Sequence, residues 1–155
     1  HDSLTGLYNR LGFNSEFEKM TKRVRKKKGI VTVVLADLDG LKGINDNYGH
    51  AAGDNAIHTV AQALKNSCPE EALCVRFGGD EMFAIMEGNY DIGLIRKRMQ
   101  NWLEDYNGRA GNPYTVSASL GILITNETEE LEFEDLLKRA DELMYQEKHR
   151  KRKQF

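Results

Sequence analysis

Apolar residues recur along this chain at two spacings, which predict different elements. Positions three and four apart, such as Phe13, Phe17 and Met20, give a helix one apolar face, whereas a nearly continuous β-branched run predicts a strand buried on both sides. Helices are predicted over residues 10–27, as a short turn over 41–45, and around 57–64, 92–102 and 133–144. Strands are predicted over residues 30–36, 72–77, 80–86 and 114–124. Strands and helices therefore interleave along the chain.

Two glycines separate the second and third predicted strands. Gly78 and Gly79 stand between apolar runs and predict a tight two-residue turn of the primed type, in which both central residues have positive φ. Such a turn joins antiparallel strands, so the sheet is partly antiparallel and the fold class is α+β. Residues 48–50 are predicted to lie in a loop, which puts Asp54 in the first turn of the next helix.

The composition is that of an ordinary soluble globular domain. The 155 residues suffice for one compact domain, with 40% hydrophobic and 30% charged residues. The longest strongly apolar stretch, residues 30–36, falls far short of the roughly 18 residues of a membrane helix. A net charge of −2 gives no reason to expect nucleic-acid binding. Basic residues cluster at 22–28 and 148–153, which is typical of solvated helix ends.

The two cysteines, Cys68 and Cys74, are too few for a disulfide framework and lack the spacing of a metal site. They favour a reduced, cytoplasmic setting in which both thiols act as small apolar side chains. No charged-then-apolar signal segment opens the chain, and its first residue is His1 rather than Met. We therefore expect one domain over residues 1–155, excised from a longer chain; an upstream sensory or regulatory region, or a membrane anchor, would lie outside this sequence.

The first concentration of polar chemistry follows the buried strand. Asp37 and Asp39 stand at its C-terminal end, where the rim of a sheet is open to a ligand. The loop after them offers backbone N–H groups, the flexible Gly40 and the cationic Lys42, which together can cradle phosphates. The alternative is a polar turn that simply ends a strand.

The second concentration is the predicted hairpin. Folding the hairpin beside the first strand would bring Asp80 and Glu81 close to Asp37. Hard divalent cations such as Mg²⁺ prefer oxygen ligands of this kind, and phosphoryl transfer needs metals that bridge phosphate oxygens. The three acids are thus a metal-site hypothesis, and the alternative is a glycine turn with solvated acids.

Asn45 and Asp54 form the third candidate, a base-binding pair. A carboxylate accepts from the ring N–H and the exocyclic amine of guanine, an edge on which adenine offers no such donor pair. The alternative for Asp54 is an acid favoured by the dipole at the start of its helix.

Taken in order, these motifs resemble those of the GGDEF family of diguanylate cyclases. The resemblance runs almost end to end and rests on segments at residues 2–10, 37–42, 44–46, 48–50, 53–54, 76–82, 119–122 and 140–145. The signature hairpin reads Arg-Phe-Gly-Gly-Asp-Glu-Met in this chain. Ordered segments with matching spacing are far more specific than any one of them alone.

The resemblance implies a fold and a reaction. The fold is a central, mostly antiparallel five-stranded sheet flanked by helices, like the polymerase palm and the nucleotide cyclases, with a ferredoxin-like core. The reaction joins two GTP molecules into cyclic di-GMP and releases two pyrophosphates, with Mg²⁺ or Mn²⁺ as the cofactor. Two copies of the chain would meet as a homodimer, and an upstream regulatory domain would control them. Neither nucleic-acid binding nor direct membrane contact of this segment is implied.

The resemblance also implies roles for individual residues. The implied metal ligands are Asp37, the Leu38 carbonyl, Asp80 and Glu81, and the implied catalytic residues are Asp37, Lys42, Asp80 and Glu81. The implied guanine ligands are Asn45 and Asp54. The implied triphosphate contacts are Gly40, Leu41, Lys42, Lys148 and Arg152. Two roles stay open for Glu81, the second acid of the signature: it either holds a metal or assists proton removal.

Three positions depart from the family's pattern. Met82 replaces Phe as the fifth signature residue, and Leu41 stands where many members carry Phe; Met can fill an aromatic-sized gap at modest cost. Residues 69–72, Pro-Glu-Glu-Ala, lack an Arg-x-x-Asp product-binding motif, so product inhibition through that site is expected to be absent. Met82 keeps open a second function, a weak or inactive domain that binds GTP or dimerises and regulates a neighbour. An adenine-containing product is disfavoured by Asp54.

Overall fold

The protein is described by a computed structural model that covers the backbone of residues 1–153 and the side chains of residues 1–151. The helices are α1 (Arg10–Lys27), α2 (Leu41–Tyr48), α3 (His50–Ser67), α4 (Ile92–Ala110) and α5 (Phe133–Lys153). The strands are β1 (Val31–Leu38), β2 (Leu73–Arg76), β3 (Glu81–Glu87) and β4 (Ala118–Thr125). The first helix has its predicted bounds, because Asn9 caps its start and Lys28 ends it in a left-handed conformation. Over the described residues, none of the helices is long and apolar enough to span a lipid bilayer.

The strands form one antiparallel sheet in the order β2-β3-β1-β4. Helices α2 and α3 connect β1 to β2, and α4 connects β3 to β4. This is the β-α-β-β-α-β order of a ferredoxin-like fold, in which the first strand is central. The predicted α+β class, with helices flanking an antiparallel sheet, is confirmed.

The predicted number of five strands is wrong, because residues 1–153 contribute four. A further extended segment reaches the free edge of β2 but pairs there through a single parallel bridge, between Tyr8 and Val75. Tyr8 N donates to the Cys74 carbonyl at 2.9 Å, and the Tyr8 carbonyl accepts from Arg76 N at 3.1 Å. A longer strand has no room, because a hydrogen-bonded turn precedes this segment and α1 begins directly after it.

The hairpin between β2 and β3 is longer than the predicted two-residue turn. Neither Gly78 nor Gly79 has positive φ, so the primed-turn prediction is wrong. The backbone N–H groups of Phe77 and Gly78 both donate to the Glu81 carbonyl, at 3.2 and 3.4 Å. The Arg76 guanidinium closes the loop by donating to the Gly79 carbonyl at 2.8 Å. A side chain, rather than left-handed glycines, thus holds the turn that carries the signature acids.

Two elements begin later or earlier than predicted. Helix α3 already begins at His50, so Asp54 lies in its second turn rather than its first. Strand β4 begins only at Ala118, because Asn107 of α4 binds the backbone of Val116. The Asn107 amide donates to Val116 O and its carbonyl oxygen accepts from Val116 N, each at 2.9 Å. A side chain therefore satisfies the backbone groups that a longer strand would have paired.

Alternate residues of β1 face two separate cores. Val33 and Leu35 pack in the core formed with α1 and α5, whereas Val34 and Ala36 pack in the core formed with α3 and α4. Because side chains alternate along a strand, Asp37 lies on the same side as α1 and α5. The helix that ends in the basic segment therefore covers the side of the sheet that carries this acid.

The core on the α3 and α4 side contains three residues whose environment was predicted. Met82 has no exposed surface, so it fills the position under the hairpin. Cys68 and Cys74 are buried free thiols, and burial raises the pKa of both to about 12. Both cysteines therefore remain protonated and pack as small apolar side chains, as predicted.

Helix α5 approaches the backbone of β4 closely at Gly121. A Cβ atom at this position would lie 1.9 Å from the Ala140 carbonyl oxygen and 2.9 Å from the Met144 backbone nitrogen. Only a residue without a side chain allows this approach. Since α5 carries the basic C-terminal segment, Gly121 sets how near that segment comes to the sheet.

We expect Gly121→Ala to lower the free energy of unfolding by about 1–3 kcal/mol, since the new methyl group must displace the α5 backbone. Gly108→Ala is the matched control, because a Cβ on this α4 glycine meets nothing within 4 Å. The control should be neutral or stabilising by up to about 1 kcal/mol. Urea titration followed by circular dichroism measures both variants. Equal stability of Gly121→Ala and wild type would contradict the close approach.

Candidate metal and nucleotide site

The end of β1 brings together acids that are distant in the chain. Asp37 is paired across the sheet with Glu81 of β3 and with Ser119 of β4. The next residue, Leu38, donates its backbone N–H to the Asp80 carbonyl at 3.0 Å. The antiparallel pairing of β1 with β3 thus gathers Asp37, Asp80 and Glu81 at one end of the sheet, as predicted. These three residues are called the acid cluster below.

Burial and neighbouring charges raise the pKa of two carboxyl groups of the acid cluster, those of Asp37 and Glu81. Burial raises the pKa of Asp37; a hydrogen bond from Lys148 lowers it and the charge of Asp80 raises it, with a net upward shift. Burial also raises the pKa of Glu81, and the charges of Asp37, Asp80 and Asp141 add to that shift. Both groups therefore lose part of the usual preference for the charged form, which a nearby cation would restore.

A lysine of α5 supplies positive charge to the acid cluster. Lys148 Nζ donates to Asp37 Oδ2. Burial alone would lower the pKa of Lys148, but its hydrogen bond to Asp37 and the charges of Asp37, Asp39 and Asp80 raise it overall. Lys148 therefore stays charged and neutralises part of the cluster. Arg152 lies one turn further along α5, with its side chain outside the described residues.

The acid cluster offers the donor atoms that a hard divalent cation requires. Its side chains are all carboxylates, and Asp37 Oδ1 is buried without a hydrogen-bond partner among the described residues. The Leu38 carbonyl belongs to the same strand end. The described part of the chain contains no three acidic, histidine or cysteine side chains already arranged to hold a metal. The donor chemistry thus fits Mg²⁺ or Mn²⁺.

The sequence did not indicate the environment of Asp39, the acid that directly follows β1. Asp39 Oδ1 accepts from Ser119 Oγ at 2.7 Å, and Oδ2 accepts from Ser117 Oγ and Lys151 Nζ, both at 2.9 Å. Burial alone would raise the pKa of Asp39, but these hydrogen bonds and the Lys151 charge lower it overall. Asp39 therefore holds Lys151 rather than a ligand. The helical spacing of Lys148 and Lys151 is a sequence signal that both lysines lie on one face of α5, but it does not identify Asp39 as the partner.

The N-terminus of α2 follows the acid cluster directly in the chain. Gly40 is the N-cap, with a φ of 68° that favours glycine, and it provides no side-chain cap. Because the first N–H groups of a helix have no intrahelical partner, those of Leu41 and Lys42 are available to an anion. The Lys42 side chain is exposed. This segment is thus a cationic surface, rich in N–H donors, beside the carboxylates.

Asn45 of α2 packs against Gly53 of α3, the residue before Asp54. Asn45 Oδ1 is buried and has no hydrogen-bond partner among the described residues. A Cβ atom on Gly53 would lie 1.8 Å from that oxygen, so the packing of the two helices depends on the glycine. Asp54 is exposed. The amide of Asn45 therefore lies next to the helical turn that carries Asp54.

Comparison with known proteins identifies the family. Residues 1–154 match the family model described as "Diguanylate cyclase, GGDEF domain". The chain is 33% identical over 148 residues to the diguanylate cyclase DgcS of Shewanella oneidensis. This match covers 95% of this chain and 49% of that protein. It is 32% identical over 155 residues to the diguanylate cyclase VdcA of Vibrio cholerae, covering 96% of this chain and 44% of that protein. The chain thus spans about half the length of these curated relatives.

A solved structure supports the same assignment. The crystal structure of the diguanylate cyclase SiaD of Pseudomonas aeruginosa, in complex with its activator SiaC, matches with a TM-score of 0.83 at 26% sequence identity. The match covers 96% of this chain and 58% of that chain. Because the family model spans nearly the whole domain and both curated relatives exceed 30% identity, the chain belongs to the GGDEF family of diguanylate cyclase domains.

Proposed function

We propose that this domain is a diguanylate cyclase, which condenses two GTP molecules into cyclic di-GMP and two pyrophosphates. Two buried atoms carry the proposal, Asp37 Oδ1 and Asn45 Oδ1. They are two of the three buried side-chain polar atoms that lack a hydrogen-bond partner in the described part of the chain. Such atoms cost free energy in a folded protein, so they are typical of positions where a ligand binds. One belongs to a predicted metal ligand and the other to a predicted guanine ligand.

Helices α2 and α3 would hold the nucleotide. The Asp54 carboxylate accepts from the ring N–H and exocyclic amine of guanine, and the Asn45 amide supplies a further contact to the base. The phosphates then reach the start of α2, where the N–H groups of Leu41 and Lys42 follow the left-handed Gly40. Lys42 adds a positive charge to this surface.

The acid cluster would hold the metal. Mg²⁺ or Mn²⁺ held there would supply positive charge that offsets the charge of the phosphates. The proposed ligands are Asp37, the Leu38 carbonyl, Asp80 and Glu81, and the proposed phosphate contacts from α5 are Lys148 and Arg152. Lys148 thus has two partners in turn, Asp37 in the unliganded domain and a phosphate in the complex.

The protein would contribute positioning and charge rather than a covalent intermediate. The 3′-hydroxyl oxygen of each GTP forms a bond to the α-phosphorus of the other GTP. The bond from that phosphorus to the bridging oxygen of the β-phosphate breaks, and pyrophosphate leaves with the electron pair. The hydroxyl proton passes to Glu81 or to water. Each chain binds one GTP, so a homodimer is required for product formation.

Asp80→Ala is expected to abolish cyclic di-GMP formation, because it removes a carboxylate from the proposed metal site. Losses of at least about 100-fold are typical when a group that stabilises transition-state charge is removed. Wild type and variant, each joined to a dimerising coiled coil, are incubated with GTP and Mg²⁺, and the products are separated by chromatography. Glu130→Ala, at an exposed acid in the loop before α5, is the control and should turn over like wild type.

The same assay separates the two functions considered for this chain. Wild-type product formation by Asp80→Ala would defeat the assignment of the acid cluster. GTP binding by the wild-type domain without product, even when dimerised, would favour a regulatory module over an enzyme.

Gly53→Ala should weaken nucleotide binding, because the new methyl group must push Asn45 away from its position against α3. We expect an affinity loss of about 10- to 100-fold, the scale of a displacement near 1 Å at a binding group. Calorimetric titration with 3′-deoxy-GTP measures affinity without turnover, since this analogue lacks the attacking hydroxyl. Gly108→Ala on α4 is the control. An unchanged affinity in Gly53→Ala would place the base elsewhere.

Lys148→Met should change metal binding and GTP binding in opposite directions. Mn²⁺ alone should bind roughly five-fold tighter or more, the scale of one ion pair, because Asp37 no longer has a competing cation. The Mn²⁺ complex of 3′-deoxy-GTP should bind more weakly, because the phosphates lose a positive charge. Electron paramagnetic resonance of free Mn²⁺ follows both titrations. Arg150→Met, at an exposed cation of the same helix, is the control. A parallel loss of both affinities would contradict the exchange of partners.

A further inference from the structure

Strand β4 lies at one edge of the sheet, with β1 on its inner side. Ser117 O accepts from Asp39 N at 2.9 Å, so the backbone groups of Ser117 point toward β1. The backbone N–H and C=O groups of successive residues in an antiparallel strand point in alternating directions, and those of Ala118 and Leu120 therefore point away from β1. Backbone groups at an edge need a partner, either from the protein or from water.

Two side chains of α5 bind those outward groups. Glu147 Oε2 accepts from Leu120 N, and Lys151 Nζ donates to the Ala118 carbonyl at 2.8 Å. Four residues along a helix span about 6 Å, and two residues along a strand span about 6.6 Å. The two helix positions therefore match the two strand positions, with the carboxylate on the N–H group and the ammonium on the carbonyl.

Glu147 also connects α5 to α4. Its other oxygen, Oε1, accepts from Arg96 Nη1 at 2.5 Å, and its side chain is only 17% exposed. Both carboxylate oxygens thus have a protein partner, one on α4 and one on β4. A mostly buried carboxylate held by two elements limits both rotation and sliding of the helix that carries it.

The place of Glu147 determines where its neighbours on α5 lie. Lys148 follows it directly and contacts Asp37, and Lys151, one turn later, contacts Asp39. Gly121 allows α5 to approach β4, and the buried Ala140 and Met144 turn the apolar face of the helix toward the sheet. The contacts of Glu147 add polar anchors in the C-terminal half of the helix, where the lysines meet the acids.

We infer that Glu147 is a positioning residue for the proposed phosphate-binding lysine. Its carboxylate, held between Leu120 N and Arg96, aligns α5 so that Lys148 meets the acid cluster. The effect on GTP rests on the proposed function, whereas the effect on the location of Lys148 does not. Two separate measurements therefore test the two statements.

The first measurement is the location of the Lys148 amine in the absence of nucleotide. Its reaction with an acylating reagent, followed by mass spectrometry, should be slow in the wild type, because the amine is partly buried against Asp37. Glu147→Ala should accelerate this labelling several-fold and leave the exposed Lys138 of the same helix unchanged. Glu147→Gln keeps an oxygen for Leu120 N but loses the acceptor for Arg96, so its rate should lie between those of the wild type and Glu147→Ala. Glu142→Ala, at an exposed acid of α5, is the control.

The second measurement is the kinetics of the dimerised domain with GTP. Glu147→Ala should raise KM for GTP by about 10-fold or more, the scale for residues that orient a ligand-binding group. The value of kcat should change less, and Glu147→Gln, which keeps the contact with Leu120 N, should recover part of the loss. This recovery and the split between KM and kcat distinguish positioning from general destabilisation.

Each outcome bears on the inference. Faster labelling of Lys148 in Glu147→Ala supports it, even if the domain makes no cyclic di-GMP, in which case the proposed function alone fails. Unchanged labelling in a folded Glu147→Ala protein overturns it. If that variant does not fold, Arg96→Met removes the second partner of Glu147 and should also accelerate labelling. Unchanged labelling in Arg96→Met would then overturn the inference.

Discussion

Carboxylates at the end of a central strand repel one another, and helices α2 and α5 supply positive charge beside them. Lys148 faces Asp37, Lys151 faces Asp39, and α2 begins with its N–H groups directly after Gly40. Without such charge a buried acid takes up a proton or loses its buried position. The central position of β1 brings the acids together, and the lysines of α5 offset the repulsion between them. The packing of α5 on the sheet and the charge balance of the candidate site therefore depend on the same contacts.

Much of the fold could be predicted from local pattern. The β-branched run before Asp37 indicated a central strand, and the apolar spacing over residues 10–27 gave the first helix its observed bounds. The number of strands, the shape of the hairpin and the start of β4 could not be predicted, because they depend on side chains that bind the backbone and on competing turns. Arg76 closes the hairpin, and Asn107 takes the backbone groups of Val116 that would otherwise extend β4.

The candidate site divides in the same way. The acids Asp37, Asp80 and Glu81 could be grouped from the sequence because a hairpin beside a strand implies their proximity. Glu147 could not be recognised, because its partners are an arginine of another helix and a backbone N–H group. Which N–H groups are free for a side chain is known only when the order of strands is known. Lys151 is intermediate, since its charge was visible but its partner was not.

The charged side chains of α5 that bind the edge of β4 also affect how copies of the domain can associate. An uncovered edge strand is a template on which a neighbouring molecule can add its own strand, the first step of aggregation. Here a second copy could extend the sheet only by displacing Glu147 and Lys151, and with them the link to α4. The domain is thereby protected, at this edge, from open-ended stacking.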